Sequence, residues 1–342
     1  MKYIFSGSKE FTELLAKEIP RARHATIFYT DLRRCFERYY LADKLVKNLS
    51  FFVLQDTQEC SAFVPLYLCS NQGRLEFSYG GGYLRAPLFF IPETMGARLR
   101  VEAALFEKIE ELAKKEGAVL HNAAIESCEV VSGVTLCNYL RKYGYQDTST
   151  SSQVVRLDQD REVIWGAVRK SYRPLISRAK AKYQVLLMDE FRSDRGIFDE
   201  YRKMHFRAAG RQTRPLETFE KMFEMVTRGQ AFLVGIVRDT QEWVGAYYFF
   251  RYNGYVYYSS SALHPEADAK DGIGHLGLWS AIEYAQSRQD RFFELGWQPF
   301  PEELEYTEKA NNIALFKRGF GGQRVVWFRG VKRFDEGPII DA

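Results

Sequence analysis

The chain has 342 residues, of which 46% are hydrophobic and 27% charged, and its formal net charge is +4. These values exclude a largely disordered or fibrous protein, and the charge is too small for a uniformly basic nucleic-acid-binding surface. No stretch reaches the roughly 20 apolar residues of a membrane span, and the N-terminal MKYIFSGSKEFTELL lacks a signal-peptide core. The length therefore predicts two domains, and the composition favours a cytoplasmic location.

The first half, residues 1–150, predicts helical stretches followed by an antiparallel sheet. The segments SFFVLQD, SAFVPLYLC and RLEFSYG are rich in aromatic and β-branched residues and predict consecutive strands. ARLRVEAALFEKIEELAKKEG predicts a helix because apolar residues recur at helical spacing, at Val101, Leu105, Ile109 and Leu112. AVLHNAAI predicts a strand, VTLCNYLRKYGY a helix that stops at Gly144, and the polar run QDTSTSSQ the boundary to a second domain, 151–342.

The second half alternates helical and strand patterns. VVRLD and QVLLMD predict strands around the helices EVIWGAVRKSY and PLISRAKAKY, and FDEYRKMHFRAAG and LETFEKMFEMVTRG predict two more helices. The next segments, AFLVGIVRD, WVGAYYFFRYN and GYVYYSSSAL, predict strands joined by tight turns. IGHLGLWSAIEYAQSR then predicts a helix, RFFELGW a strand, NNIALFKRGFG a helix with a Gly-rich stop, and RVVWFRGVKRF a last strand.

Both halves therefore predict antiparallel strands, a long helix, a short strand and a shorter helix ending in a Gly-aromatic turn. Arg98 and Leu140 are 42 positions apart (140 − 98), as are Gly274 and Phe316 (316 − 274). This agreement favours a duplication, although a chance match of short patterns is the alternative. The predicted fold class is α/β (α+β), with tandem domains that each contain a mixed, largely antiparallel sheet flanked by helices.

The segment KDGIGHLGL, between a strand and a long helix, is the first candidate site. Gly272 and Gly274 permit backbone N–H groups to face a ligand, and the helix start attracts anions, with Lys270 and His275 alongside. A Gly-rich turn without a ligand explains the segment equally well. The motif matches neither the Walker spacing nor a full GxGxxG, which argues against nucleotide triphosphates and dinucleotides.

Two basic segments are the next candidates. In ALFKRGFGGQ, Lys317 and Arg318 precede three glycines, whereas LRKYGY in the first half has one; ordinary helix capping is the alternative. In RKSYRPLISRAKAKY, Arg173 and Arg178 have the bidentate geometry that phosphates prefer, and a solvated helix face is the alternative. The histidines and cysteines show no ligand spacing, so no metal site is predicted.

The second half resembles the Fem-type peptidyltransferases and the wider FemAB-like branch of the GNAT acyltransferase superfamily. The matching segments are SYRPLISRAKAKYQV, HLGLWSAIEYAQSRQDRFFELGW and NNIALFKRGFGG, which cover most of residues 165–325, and FKRGFGG is the most specific of them. The tandem GNAT arrangement of that family agrees with the repeat. The chain has no long coiled-coil arm and so resembles the compact members.

The resemblance implies that the protein joins an aminoacyl group from aminoacyl-tRNA, or another acyl group, to an amine. By position, Lys317 would stabilise the oxyanion and the 3′ leaving group, and Tyr258 would line the reaction channel and relay a proton. Arg173 and Arg178 would hold a phosphate-bearing substrate. Substrate binding is also assigned to a further set: Lys270, Gly272, Gly274, His275, Trp297 and Arg318. A strand-end Asp of the family is replaced by Glu294 of ELGW.

Three functions follow as hypotheses. The first is an aminoacyl-tRNA-dependent transferase acting on an amine of a cell-wall precursor or small-molecule intermediate. The second is an acyl-CoA-dependent N-acyltransferase acting on an amino sugar in polysaccharide biosynthesis, because KDGIGHL resembles the acyl-CoA pyrophosphate loop of ordinary GNATs. The third is a non-catalytic GNAT-like protein that binds a nucleotide sugar. In the first two, the donor is a substrate, the acceptor is amine-bearing or nucleotide-linked, and no tightly bound cofactor is expected.

Overall fold

The computed structural model describes residues 1–22, 24–55, 59–90, 95–300 and 307–334. The chain forms two compact units, one of Met1–Thr150 with Val326–Ala342 and one of Ser151–Val325. The predicted second domain, 151–342, is therefore too long at its C-terminal end, because the last strand of the chain belongs to the first unit.

The elements are given in chain order. The α-helices are α1 (Lys9–Glu18), α2 (Asp31–Tyr40), α3 (Met95–Glu116), α4 (Ser127–Val131), α5 (Arg161–Ala167), α6 (Tyr172–Lys182), α7 (Arg195–Ala209), α8 (Leu216–Thr227), α9 (Ile273–Ser287) and α10 (Glu308–Arg318). The strands up to residue 147 are β1 (Lys2–Phe5), β2 (Leu45–Asn48), β3 (Phe51–Leu54), β4 (Cys60–Val64), β5 (Tyr67–Asn71), β6 (Arg74–Phe77), β7 (Leu84–Arg85), β8 (Leu88–Phe89), β9 (Leu120–Ala124) and β10 (Gln146–Asp147). The later strands are β11 (Thr150–Arg156), β12 (Gln184–Met188), β13 (Ala231–Val237), β14 (Trp243–Tyr252), β15 (Tyr255–Leu263), β16 (Phe292–Gln298), β17 (Gln323–Trp327) and β18 (Arg329–Arg333).

The first unit divides its strands between two sheets. One has the order β1-β3-β4-β8, and the other has the order β10-β18-β9-β6-β5-β2, with β7 also paired to β9. The predicted apolar face of α3 is confirmed, because all four of its residues are buried in the core of this unit: Val101, Leu105, Ile109 and Leu112. Burial of such a stripe is what stabilises an amphipathic helix.

The segment SAFVPLYLC was predicted as one strand and forms two. Pro65 separates β4 from β5, and the two strands enter different sheets. Proline has a fixed φ and no backbone N–H, so it interrupts the hydrogen-bonded ladder at the point where the chain changes sheets.

The predicted helix VTLCNYLRKYGY is also wrong in extent. Only Tyr139–Tyr143 are helical. They form a 3₁₀-helix that ends at Gly144, whose φ is 79°. The preceding residues cannot join it because Thr135 is tied to the turn after α4: its hydroxyl donates to the Glu129 carboxylate at 2.8 Å and its amide donates to the Glu129 carbonyl at 3.2 Å.

RVVWFRGVKRF was predicted as a single strand and divides at Phe328. β17 lies beside β11 in the sheet of the second unit, whereas β18 pairs with β9 and β10 in the first. The Phe328 carbonyl accepts from the Ile125 amide at 2.9 Å, which directs the chain towards β9. β18 therefore belongs to the first unit, whose C-terminal part begins at Val326 and so also includes the last two residues of β17.

The second unit contains one sheet of order β12-β13-β14-β15-β16-β11-β17. The strands from β12 to β15 pair antiparallel in sequence, β15 pairs with β16 in parallel, and β16 pairs with β11 antiparallel. The predicted face of α9 is confirmed, since Leu278, Ile282 and Ala285 are buried in a core shared with this sheet. The unit therefore has the mixed, largely antiparallel sheet with flanking helices that the sequence predicts.

The polar run QDTSTSSQ, predicted to mark the boundary between the halves, contains the division between the units after Thr150. It forms the exposed strand β10 and then the buried beginning of β11, which starts at Thr150. The Ser152 hydroxyl donates to Glu294 Oε1 at 2.5 Å, and the Gln153 amide donates to the Gly321 carbonyl at 2.6 Å. These polar side chains of β11 have partners inside the unit, which offsets the cost of burying them.

The parallel pairing of β15 and β16 is short. It covers three residue pairs and ends at Tyr257–Glu294. Beyond that pair β15 continues against β14 and β16 continues against β11, each with an irregular register, so the two strands part. We call this opening the strand fork, with residues 258–261 of β15 on one branch and residues 295–298 of β16 on the other. Between the branches of the fork, β15 and β16 no longer pair with each other.

Candidate active site

Lys317 lies at the strand fork. It occupies the last turn of α10, whose N-terminus is capped by Thr307. Its Nζ is 5.6 Å from the centroid of the Tyr258 ring on the β15 branch. On the β16 branch, a β-carbon at Gly296 would lie only 3.2 Å from the same Nζ. The ammonium is therefore held between the two branches.

A buried carboxylate acts on this ammonium. Glu294, 6% exposed, accepts from the Ser152 hydroxyl at 2.5 Å and from the Tyr255 hydroxyl at 2.6 Å. Burial lowers the pKa of Lys317, and the Glu294 carboxylate acts in the opposite direction. An ammonium fixed in a poorly solvated site stabilises negative charge that develops beside it far better than one in water.

Tyr258 supplies a hydroxyl and an aromatic wall. Its Oη donates to Ser261 Oγ at 2.6 Å, and its ring stacks on Phe249 with centroids 5.4 Å apart. Burial raises the pKa of Tyr258, so the phenol is protonated at neutral pH. Tyr258 can therefore donate a proton or a hydrogen bond at the fork, as the role predicted for it requires.

Helix α7 adds a polar group that sequence reasoning missed. Tyr201 Oη and Ser260 Oγ share a hydrogen bond of 2.9 Å beside the β15 branch. One turn further along α7, His205 Nε2 accepts from Arg214 Nη2 at 3.1 Å, and Thr213 Oγ1 lies 3.1 Å from Nδ1. Burial and the Arg214 charge lower the pKa of His205 to about 4.

Arg214 is half-buried, and within the described parts of the chain no carboxylate pairs with it. Its guanidinium lies over the Phe219 ring, 5.4 Å from the centroid, and donates from Nη1 to Met222 Sδ at 3.5 Å as well as from Nη2 to His205. A guanidinium has five N–H donors, so these two bonds do not use all of them. The sequence signal was the RQTRPLE turn between α7 and α8, which reads from sequence alone as an ordinary loop. An arginine with spare donors suits an anionic group of a substrate.

The start of α9 is shaped by packing. Gly272 has φ of +72°, and a β-carbon there would lie 2.8 Å from the Leu175 carbonyl oxygen of α6. A β-carbon at Gly274 would make ordinary contact with Phe316 at 3.4 Å. The first glycine is therefore required by the fold itself, while Lys270 beside it is exposed.

His275, predicted to bind substrate, lies in an aromatic cluster. Its ring centroid is 4.3 Å from that of Tyr172 and 5.0 Å from that of Phe316, both in edge-to-face geometry. Burial and the Arg169 charge lower the pKa of His275 to about 4, so the ring is neutral near pH 7. The structure gives this histidine a packing role at the base of α9.

The predicted phosphate-binding arginines differ in their surroundings. Arg173 donates from Nε to the Val168 carbonyl at 3.0 Å and from Nη2 to the Gly166 carbonyl, so its guanidinium caps the end of α5. Arg178 is exposed on α6. Only the second is open to solvent and suited to contact a substrate phosphate without breaking an internal bond.

The remaining predicted residues are chain neighbours of Lys317 and of Gly296. Arg318 is exposed, and Trp297 is half-buried on the β16 branch of the fork. The glycines after them serve the fold: a β-carbon at Gly322 would lie 2.3 Å from the Val154 carbonyl oxygen of β11. The close approach predicted for the Gly-rich stop is therefore an approach to the protein's own strand.

The first unit contains a separate polar pocket that the sequence analysis did not single out. Arg33 donates to Glu37 at 3.0 Å, and the Tyr67 hydroxyl donates to the same carboxylate at 2.8 Å. The Arg85 guanidinium lies 3.7 Å from the centroid of the Phe28 ring on the same pocket wall. Its sequence signal is the i, i+4 spacing of Arg33 and Glu37 in DLRRCFERYY, which is indistinguishable from a surface ion pair.

In the residues described, no helix is long and apolar enough to cross a membrane. No group of three or more His, Cys, Asp or Glu side chains in those residues is arranged to hold a metal ion.

Comparison with known proteins agrees with this geometry. Residues 166–306 match the family model for the acetyltransferase (GNAT) domain. FemX is similar in structure over 96% of this chain and 97% of its own, with a TM-score of 0.66 and 12% identity. L-PGS from Bacillus licheniformis matches over 90% and 92%, with a TM-score of 0.56 and 14% identity. A tandem GNAT protein from the clavulanic acid biosynthesis pathway matches over 98% and 99%, with a TM-score of 0.51 and 15% identity. No curated protein matches the sequence.

Residues 166–306 of the second unit therefore match a GNAT domain, and the whole chain has a fold similar to that of FemX and of the tandem GNAT protein. The predicted fold class and the predicted FemAB-like resemblance are confirmed. At identities of 12% to 15% the similarity shows the fold and does not identify the substrates.

Proposed function

We propose that the protein transfers an aminoacyl group from aminoacyl-tRNA to an amine of a cell-wall precursor or of a small-molecule intermediate, forming an amide. The observation that carries the proposal is the position of Lys317 between the branches of the strand fork. The Fem-type resemblance of FKRGFGG and the FemX-like fold over 96% of the chain support this donor. Such a donor is a cytoplasmic molecule, so the proposal includes a cytoplasmic location.

The proposed step is aminolysis of an ester. The amine nitrogen attacks the carbonyl carbon, the new C–N bond forms, and the carbonyl oxygen takes up negative charge. When the intermediate collapses, the bond from carbon to the tRNA 3′ oxygen breaks, the oxygen gains a proton and the nitrogen loses one. The Lys317 ammonium stabilises the oxyanion and the leaving oxygen, and the Tyr258 hydroxyl relays a proton.

Exposed and spare cations of the second unit suit the charged parts of both substrates. Lys270, Arg178 and Arg318 are exposed and would contact phosphates of the donor. Arg214 keeps donors free beside the β15 branch and would bind an anionic group of the acceptor. The role of Trp297 in this proposal is to line the channel along the β16 branch.

The second candidate is acyl-CoA-dependent N-acylation of an amino sugar. It is favoured by the acetyltransferase (GNAT) family match over residues 166–306, which includes the turn at Gly272 and the start of α9. In this case the helix start would receive the pyrophosphate of the donor, and Lys317 would keep the same role.

Thermal-shift measurements separate the candidates. We expect stabilisation by a non-hydrolysable mimic of the aminoacylated tRNA 3′ end and little effect of acetyl-CoA. Stabilisation by acetyl-CoA with no effect of the mimic would exclude the tRNA-dependent function. Stabilisation by a UDP-linked sugar alone, with no transfer from either donor, would instead favour a non-catalytic nucleotide-sugar-binding protein.

A further inference from the structure

We propose that Glu294 is a positioning residue whose carboxylate, fixed at the strand fork by Ser152 and Tyr255, keeps Lys317 charged and in place for acyl transfer. The inference rests on the proposed function for its catalytic meaning. The coupling between the two residues can be tested without any substrate.

The carboxylate is held from two strands at once. The Ser152 hydroxyl of β11 donates to Oε1 at 2.5 Å, and the Tyr255 hydroxyl of β15 donates to Oε2 at 2.6 Å. Each oxygen thus accepts from a hydroxyl, and the two hydrogen bonds fix the plane of the carboxylate. Glu294 is also the last β16 residue paired with β15, so it is fixed at the apex of the fork.

The Lys317 ammonium lies two residues along the same strand from this carboxylate. Its Nζ lies against Gly296, two residues beyond Glu294 on the same strand, and α10 packs on β16. A carboxylate in a site this buried is costly unless a cation offsets it. The Lys317 ammonium beside Gly296 is the cation placed to offset it.

The charged groups around the Lys317 ammonium determine the direction in which its pKa should change when Glu294 is replaced. The β15 branch contributes Tyr258, which burial keeps neutral; the β16 branch contributes the Glu294 charge; and α10 contributes Arg318, which is exposed. Burial favours the uncharged amine, and Glu294 opposes that tendency. Removal of the Glu294 charge must therefore lower the pKa of Lys317 and discharge the amine at a lower pH.

The test is a Glu294→Gln variant of the full chain. Lys317 reactivity is followed by pulse acetylation with acetic anhydride and mass spectrometry from about pH 7 to about pH 11, which brackets the ordinary lysine pKa. Only the uncharged amine reacts, so we expect the reactivity curve to move to lower pH in Glu294→Gln and to stay near the wild-type position in Glu294→Asp. An unchanged curve in a folded Glu294→Gln protein would overturn the proposal.

Asp290→Asn is the matched control. Asp290 is equally buried in the same unit but pairs with Arg251 at 2.9 Å, so its loss should leave the Lys317 curve unchanged. If Glu294→Gln does not fold, Glu294→Ala provides the second test, because it also removes the negative charge and should shift the curve in the same direction. A folded Glu294→Ala protein with the wild-type curve would then count against the proposal.

Activity supplies the second readout. We expect Glu294→Gln to lower kcat by about ten- to a hundred-fold and to move the alkaline limb of the pH profile to lower pH. A shifted labelling curve with no activity in any variant, including the wild type with both donors, would reject the proposed function while leaving the Glu294–Lys317 coupling in place. An active wild type with an unshifted curve would reject the coupling alone.

Discussion

The Lys317 ammonium faces the Tyr258 ring, with Nζ 5.6 Å from its centroid, across an opening between two strands that pair for only three residues. One residue comes from the last turn of α10 and the other from the middle of β15. The fork brings a cation and a protonated phenol together in a partly buried place. That pairing suits stabilisation of a tetrahedral intermediate.

Loss of the Lys317 charge should remove catalysis and spare the fold. We expect Lys317→Met to lower turnover by roughly two to three orders of magnitude, as for loss of one oxyanion donor. Steady-state kinetics measure the turnover, and circular dichroism tests whether the fold is kept. Lys309→Met, on the exposed first turn of the same helix, is the matched control and should retain wild-type turnover. Equal turnover in all three proteins would remove Lys317 from the mechanism.

The Tyr258 hydroxyl should matter for rate more than for stability. Tyr258→Phe keeps the ring that stacks on Phe249 and loses the bond to Ser261, so we expect a fall in kcat of about a hundred-fold and a stability change of at most about 1 kcal/mol. Kinetics and urea unfolding measure these quantities. A Tyr258→Phe protein with normal kcat would show that the tyrosine only lines the channel.

We expect substitution by alanine to be tolerated at Gly274, within α9, and to be destabilising at Gly272, which precedes the helix. Gly272→Ala meets the Leu175 carbonyl and a positive φ, so we expect a loss of about 1 to 3 kcal/mol in the free energy of unfolding. Gly274→Ala makes only ordinary contact with Phe316 and should be nearly neutral. Urea unfolding of both variants tests the comparison, and equal stabilities would contradict the packing described for Gly272.

We expect the two arginines of α6 to have different roles, Arg173 in stability and Arg178 in substrate binding. Arg173→Ala removes donors to the Val168 and Gly166 carbonyls and should lower the melting temperature. Arg178→Ala should leave the melting temperature unchanged and raise KM for the phosphate-bearing donor. Melting curves and KM values at two salt concentrations measure both. The reverse pattern would show that Arg173 is the substrate contact.

Acid should destabilise the second unit through its neutral histidines. The pKa of His275 and that of His205 lie at about 4 in the folded chain and near 6.5 when unfolded. Between these values the unfolded chain binds more protons, so stability is complete above about pH 6.5 and falls as the pH drops towards about 4. We expect His275→Gln to weaken the pH dependence of the free energy of unfolding, measured with urea across this pH range. An unchanged pH dependence would show that other groups are responsible for it.

Local patterns predicted much of the fold. The apolar spacing of α3 and α9 identified the buried faces correctly, and the Gly-rich stop after Lys317 marked the end of α10. These features depend on residues close together in the chain. The position of Lys317 at the end of a helix could therefore be predicted from the sequence, whereas the residues that its ammonium faces could not.

Long-range partners account for what the sequence missed. Ser152 lies in the polar run predicted to mark the domain boundary, and its burial could not be foreseen because its partner Glu294 is 142 residues away. The division of the last predicted strand at Phe328 likewise depends on a bond to Ile125. His205 and Arg214 form a pair only because a tight turn returns the chain to α7. Patterns of a few residues carry no information on such contacts.

The most direct test of the central claim is a transfer assay with two donors in parallel. Aminoacyl-tRNA carrying a labelled amino acid and labelled acetyl-CoA are each incubated with a panel of amine-bearing cell-wall precursors and amino sugars, using wild type and Lys317→Met. The account predicts labelled amide from aminoacyl-tRNA with the wild type and roughly two to three orders of magnitude less with the variant. Transfer from acetyl-CoA alone, or equal transfer by both proteins, would contradict it.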